Sequence, residues 1–89
     1  MRLHSAFAVQ VKVKFFAMFH EMFARREEKI KLLEGSTVMD ILKRLATEKP
    51  QFIECYDSIQ IAVNWEYADK NTLLQDGDEV ALIPPVTGG

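Results

Sequence analysis

Thr37-Val38-Met39-Asp40-Ile41-Leu42-Lys43-Arg44-Leu45-Ala46-Thr47-Glu48-Lys49-Pro50 is the stretch that decides the architecture. Val38, Ile41, Leu42, Leu45 and Ala46 recur at i, i+3, i+4, i+7 and i+8, one continuous apolar stripe on an α-helix. Asp40, Lys43, Arg44 and Thr47 face the other way. Thr37 can cap the helix, and Asp40, three positions on, fits a capping box. Pro50 limits the helix to about residue 48 or 49, because the residue before a proline is pushed out of the helical region. A helix of this kind has one face to bury, and lying across one face of a sheet uses that stripe fully.

The flanking segments supply the sheet. Upstream, Val9, Val11, Val13 and Phe15 alternate with Gln10, Lys12, Lys14 and Phe16, the pattern of a strand with one buried face. Met18, Phe19, Met22 and Phe23 form a short helical stripe that suits core packing at the sheet edge. Arg25-Arg26-Glu27-Glu28 then suits a helix end and a turn. Ile30 and Leu32 alternate with Lys29 and Lys31 in a second strand. Downstream, Phe52, Ile53 and Tyr56 predict a packed loop over residues 51–58. Ile59-Gln60-Ile61-Ala62-Val63 reads as a strand ended by Asn64, and residues 65–72 as irregular, with Leu73 and Leu74 anchoring a single turn. Asp76-Gly77-Asp78 is a turn in which Gly77 is free to take positive φ. Glu79-Val80-Ala81-Leu82-Ile83 is the last strand, stopped by Pro84-Pro85, which cannot donate to a ladder.

The resulting order is strand, short helix, strand, long helix, strand, turn, strand. Four strands and one main helix make a two-layer α+β roll. The economical arrangement is the β-grasp (ubiquitin-like) one: a mixed four-stranded sheet with its first and last strands parallel and adjacent at the centre, covered on one face by the main helix, with a short additional helix. The expected organisation is an N-terminal extension over 1–8, one domain over 9–85 and a flexible Gly-Gly tail over 86–89. No internal repeat or low-complexity segment interrupts it.

Composition fits this scheme and narrows the function. The 89 residues allow one modest core, and 48% apolar with 27% charged residues reads as globular. A formal charge of -2 implies no general attraction for nucleic acid. Residues 1–33 hold seven Lys/Arg against three Asp/Glu, whereas residues 34–89 hold four against ten, so the tail-bearing half suits a basic partner surface. A single cysteine, Cys55, excludes an internal disulfide and a cysteine-rich zinc site, and a reducing cytoplasmic setting is expected. No apolar run approaches the ~20 residues that span a bilayer, so no membrane association is expected. Met1–Ala8 lacks the apolar core of a secretory signal.

Some apolar residues fall on the face that the helix leaves open. Phe16 stands among the lysines of the first strand, and Ala81 and Ile83 make an outer face on the last; Tyr67, just past the third strand, can join them. One account is ordinary: scattered apolar surface, with Phe16 packing under the following helix. The other is a docking patch beside the start of the tail. The tail itself is Pro84-Pro85-Val86-Thr87-Gly88-Gly89. Two prolines stiffen its exit, and two glycines give a terminus without side chains that can thread a narrow channel. Its carboxylate becomes an electrophile if another enzyme adenylates it with ATP, after which sulfur or nitrogen displaces AMP. A frayed end is the plain alternative.

Other residues carry less. Cys55 beside Tyr56 is a lone thiol, better read as inert than as a persulfide site. His20 has only His4 as a possible companion, too few ligands for a metal. Asp76, Asp78 and Glu79 do not complete a calcium loop and suit a turn. Lys12 and Lys14 read as solvated, and Lys70 has no assigned role. With no paired acid and base, no nucleophile arrangement and no phosphate-cradling loop, the chain is not expected to be catalytic by itself.

Several segments together resemble the small, sulfur-carrier subunit of molybdopterin synthase, within a wider group of β-grasp sulfur carriers that includes the thiamine-pathway carrier. They are Val13-Lys14-Phe15-Phe16-Ala17, Ala62-Val63-Asn64, Leu74-Gln75-Asp76-Gly77-Asp78-Glu79-Val80-Ala81 and, most specific, Ile83-Pro84-Pro85-Val86-Thr87-Gly88-Gly89. The resemblance covers residues 9–89. It implies that Gly89 is adenylated by a ubiquitin-activating-like adenylyltransferase, converted to a thiocarboxylate by a sulfur donor system, and threaded through Pro84, Pro85, Val86, Thr87 and Gly88 into the large catalytic subunit of a heterotetramer. There it gives sulfur to cyclic pyranopterin monophosphate to build the molybdopterin dithiolene. No stably bound cofactor and no metal are implied; ATP serves the activating partner and leaves a transient Gly89 acyl-adenylate. The family's docking positions map onto Phe16, Tyr67 and Ile83, where relatives often carry an aliphatic at Tyr67 and an aromatic at Ile83. Alternatives are a carrier for thiamine or tRNA thiolation, a ubiquitin-like modifier that passes Gly89 to a lysine amine, and a plain binding module with an inert tail.

Overall fold

The computed structural model describes residues 8–85. The order of elements is β1 (Ala8–Phe15), α1 (Met18–Phe23), β2 (Glu27–Leu33), α2 (Val38–Glu48), a 3-10 helix (Pro50–Cys55), β3 (Gln60–Val63), β4 (Glu66–Ala68) and β5 (Glu79–Ile83). The expected tail, 86–89, lies outside the described residues, as does the expected extension apart from Ala8, which opens β1.

The sheet order is β2-β1-β5-β3-β4. The first and last strands are parallel neighbours at its centre, with Val13 opposite Val80 and Phe15 opposite Leu82. β2 pairs antiparallel with β1, and β3 antiparallel with β5. This is the β-grasp roll, with five strands where the sequence predicts four. The extra strand, β4, joins β3 through a two-residue turn. Asn64 and Trp65 both take positive φ there, 52° and 74°, which is the turn that matches the twist of a tight hairpin. With three residues, two of them exposed, β4 has no buried-face alternation for a sequence reading to find.

The apolar stripes meet as expected. Val9, Val11, Val13 and Phe15 of β1, Ile30 and Leu32 of β2, Ile61 of β3, and Val80 and Leu82 of β5 are all buried, and so is the α2 stripe of Val38, Ile41, Leu42, Leu45 and Ala46. Asp40 Oδ2 accepts the Thr37 N–H at 2.8 Å, the reciprocal bond of the capping box. The segment predicted as a packed loop overlaps the 3-10 helix, whose Phe52 is fully buried. Phe52 meets Phe19 and Phe23 edge-on at 5.4 and 5.2 Å, so α1 packs into the core.

Arg25 ties these layers together. Its guanidinium donates to both carboxylate oxygens of Glu48, at 2.8 and 2.7 Å, to Glu28 at 3.0 and 2.7 Å, and to the Phe23 carbonyl at 2.9 Å. It also lies 5.2 Å from the Phe15 ring centroid. These bonds raise the Arg25 pKa further and lower that of Glu48. No helix among the described residues is long and apolar enough to cross a membrane.

Candidate functional site

The Asp76-Gly77-Asp78 turn is bound into the sheet from both sides. Gln10 donates its N–H to Asp76 Oδ1 at 2.8 Å, and the Gly77 N–H returns to the Gln10 carbonyl at 2.8 Å. Asp78 accepts from the Gln75 N–H and from the Asn64 side-chain amide, each at 2.8 Å. Asn64 Oδ1 in turn accepts the Glu79 N–H at 3.0 Å, and the Asn64 N–H reaches the Glu79 carbonyl at 2.8 Å. Glu79 pairs with Lys14 at 3.1 Å. Each of the three carboxylates therefore has a structural partner. Two segments that carry the sequence resemblance, Ala62-Val63-Asn64 and Gln75-Asp76-Gly77-Asp78-Glu79, meet through these bonds and fix the hairpin against the start of β5.

That hairpin completes the open face of the sheet. Phe16 is 42% exposed and Tyr67 80%. Phe16, Tyr67 and Ile83, separated by up to 67 residues, line one depression together with Ala62, Ala81 and Trp65. Phe16 and Ile83 also line an adjoining groove with Ala17, Pro84 and Pro85. The apolar surface thus runs from the β3–β4 hairpin to the residues that precede the tail. The Phe16 N–H bonds the Leu82 carbonyl at 3.2 Å, extending the β1–β5 pairing up to this junction. Of the sequence-predicted site residues, Phe16, Tyr67, Ile83, Pro84 and Pro85 are brought together; Val86, Thr87, Gly88 and Gly89 lie outside the described residues.

Sequence reasoning missed Trp65, which is 81% exposed and forms one wall of the depression. The available signal was Asn64 followed by one residue and a short Glu-Tyr-Ala run, a two-residue hairpin connection without the glycine that marks most of them. Cys55 is half-buried at the end of the 3-10 helix, and burial, helped by Glu54, pushes its thiol up and away from the reactive thiolate.

Known proteins with the same features make the kinship plain. The ThiS family matches residues 13–89. A molybdopterin synthase sulfur carrier subunit from Arabidopsis thaliana is 33% identical over 82 residues, covering 92% of this chain and 85% of the relative. A chain in the protein–protein complex of subunits 1 and 2 of molybdopterin-converting factor from Helicobacter pylori is 30% identical, with a TM-score of 0.62 over 91% of this chain and 100% of that one. Small archaeal modifier protein 1 from Methanosarcina acetivorans is 29% identical, with a TM-score of 0.77 over 92% of this chain and 98% of that one. By the family match from Val13 onward, and by its likeness to curated molybdopterin synthase sulfur carrier subunits, this chain belongs to the ThiS family.

Proposed function

We propose that this chain is the sulfur-carrier subunit of a molybdopterin synthase and acts through the carboxylate of Gly89. The observation that carries this is the continuous apolar surface that joins Phe16, Tyr67 and Ile83 to Pro84 and Pro85, next in sequence to Val86-Thr87-Gly88-Gly89. It supports a carrier whose body docks while its last residues enter a partner. The partner is the large synthase subunit, in keeping with the Helicobacter pylori complex of subunits 1 and 2.

The chemistry follows from the terminus. An adenylyltransferase partner joins the Gly89 carboxylate to the AMP part of ATP and releases pyrophosphate. A sulfur donor then displaces AMP and leaves a thiocarboxylate. Inside the large subunit that sulfur is transferred to cyclic pyranopterin monophosphate, water restores the carboxylate, and a second charged carrier supplies the second sulfur. Gly88 and Gly89 present no Cβ to crowd the nucleotide or the nucleophile. Acid–base catalysis belongs to the large subunit, and the setting is the cytoplasm.

A second reading is favoured by the likeness to a small archaeal modifier protein: the same adenylate is passed to a lysine amine as an isopeptide. Intact mass of the untagged chain, purified from a host with an active cofactor pathway, separates the two. Sulfur in place of one terminal oxygen, localised to Gly89 by fragmentation, is the expected result. An isopeptide adduct on other proteins points to the modifier, and an unchanged chain beside a charged control carrier defeats both.

A further inference from the structure

Register places a cup on the open face. Lys14 pairs with Ala81, Ala81 with Ala62 and Ala62 with Tyr67, so one row across four strands has two methyl groups at its middle. Phe16 and Ile83 follow the Phe15–Leu82 pair on one side of that row, and Trp65 closes the other from the hairpin turn. These bulky side chains stand around an alanine floor and enclose about 240 Å³. Small-molecule sites are usually about 300–1,000 Å³, so a cup this small suits one side chain of another protein better than a cofactor.

The cup's chemistry narrows the guest. None of its six lining residues is charged. Lys14, whose ammonium lies 5.6 Å from the Trp65 ring centroid, is already paired with Glu79. Both interactions brace the indole at the rim. Trp65 also holds φ at 74°, a left-handed conformation that is unfavourable for a bulky residue. Strain of this kind, kept at an exposed position, points to a use outside the fold.

We propose that Trp65 is a specificity-determining docking residue: with Tyr67 it walls a cup that takes one apolar side chain of the partner protein. The cup is continuous with the groove at Pro84 and Pro85 through Phe16 and Ile83, so filling it sets the body's position relative to the tail. The inference deepens the docking reading above and rests on it.

The test titrates the full chain against the large synthase subunit from the same source by calorimetry, with circular dichroism and thermal melts confirming that each variant is folded. Trp65→Ala is expected to weaken binding by about tenfold or more, as an aromatic anchor does, and Trp65→Phe to recover much of it. Ala81→Leu adds apolar area but fills the cup, so binding falls; a merely greasy patch would bind as before or tighter. Should Ala81→Leu misfold, Ala62→Leu makes the same test from β3. Ile83→Glu is the reference for docking itself. If it abolishes binding while Trp65→Ala and Ala81→Leu bind like the parent, the cup is overturned and the docking face stands. If Ile83→Glu also binds like the parent, the docking face falls and the cup with it.

Discussion

Two residues with left-handed backbone mark opposite uses of the same conformation. Gly77 sits at φ 90° in the turn before β5, where glycine has no Cβ penalty. A Cβ there would meet nothing within 4 Å, so only backbone strain opposes a substitution. Gly77→Ala is expected to cost about 1–2 kcal/mol. Trp65 occupies the second position of the β3–β4 turn, where glycine is the relaxed choice. Trp65→Gly relieves the strain and forfeits the Lys14 contact, worth about 0.5–1 kcal/mol at an exposed site. The balance is a gain of up to about 1.5 kcal/mol. Urea melts of both variants check the pair of signs: a loss for Gly77→Ala and a gain for Trp65→Gly. A destabilised Trp65→Gly would mean that the indole is kept for the fold and would remove the strain argument for its docking role.

Among the elements, α2 was the most legible, because five apolar residues at helical spacing dictate one buried face. β1 and β5 were legible for the same reason at period two. The short elements were not. The 3-10 helix shows little sequence pattern beyond the fully buried Phe52, and β4 exists because Asn64 is bonded to Asp78 and Glu79, 14 and 15 residues away. The candidate site followed suit: Phe16 and Ile83 stood out as apolar residues on the wrong face, whereas Trp65 was hidden in a segment read as irregular. Arg25 was equally silent in the sequence, yet it joins the end of α1 and the start of β2 to the last turn of α2. Its bond to Glu48 has a testable pH signature. The Glu48 pKa is lowered in the folded chain, first by the hydrogen bond from Arg25. The contribution is therefore complete above the ordinary value of 4.5 and is lost as pH falls through the folded value. Glu48 is 42% exposed, so screening holds the pair to about 0.5–1 kcal/mol. Denaturant melts of the parent and Glu48→Gln should differ by this amount near pH 7 and converge in acid. A constant gap across the range would assign the effect to packing instead.

At the scale of the whole molecule, the proposed function gives the body and the terminus separate physical duties. The core is built among the described residues: Phe19, Phe23 and Phe52 are buried together, and β5 is held at the sheet centre between β1 and β3. That central place is also what a docking carrier needs. The strand leading to Pro84 is held against shifting, since it is paired along both edges. In the proposed function the apolar face would meet the partner with its exit point fixed, and position would be set by the body rather than by the glycines. Deleting Gly88 and Gly89 should then leave the melting temperature within about 2 °C of the parent, because residues 8–85 already assemble the buried core. Affinity for the large subunit should fall only modestly, by the tail's own contacts, while formation of the thiocarboxylate is abolished. The measurement is a parallel set of thermal melt, calorimetric titration and intact mass after incubation with the adenylyltransferase, ATP and sulfur donor. A truncated chain that binds but is never charged fits a body that docks and a terminus that reacts. Complete loss of binding would place the docking energy in the tail, and a truncated chain that still supports full synthase activity would leave Gly89 with no chemical role.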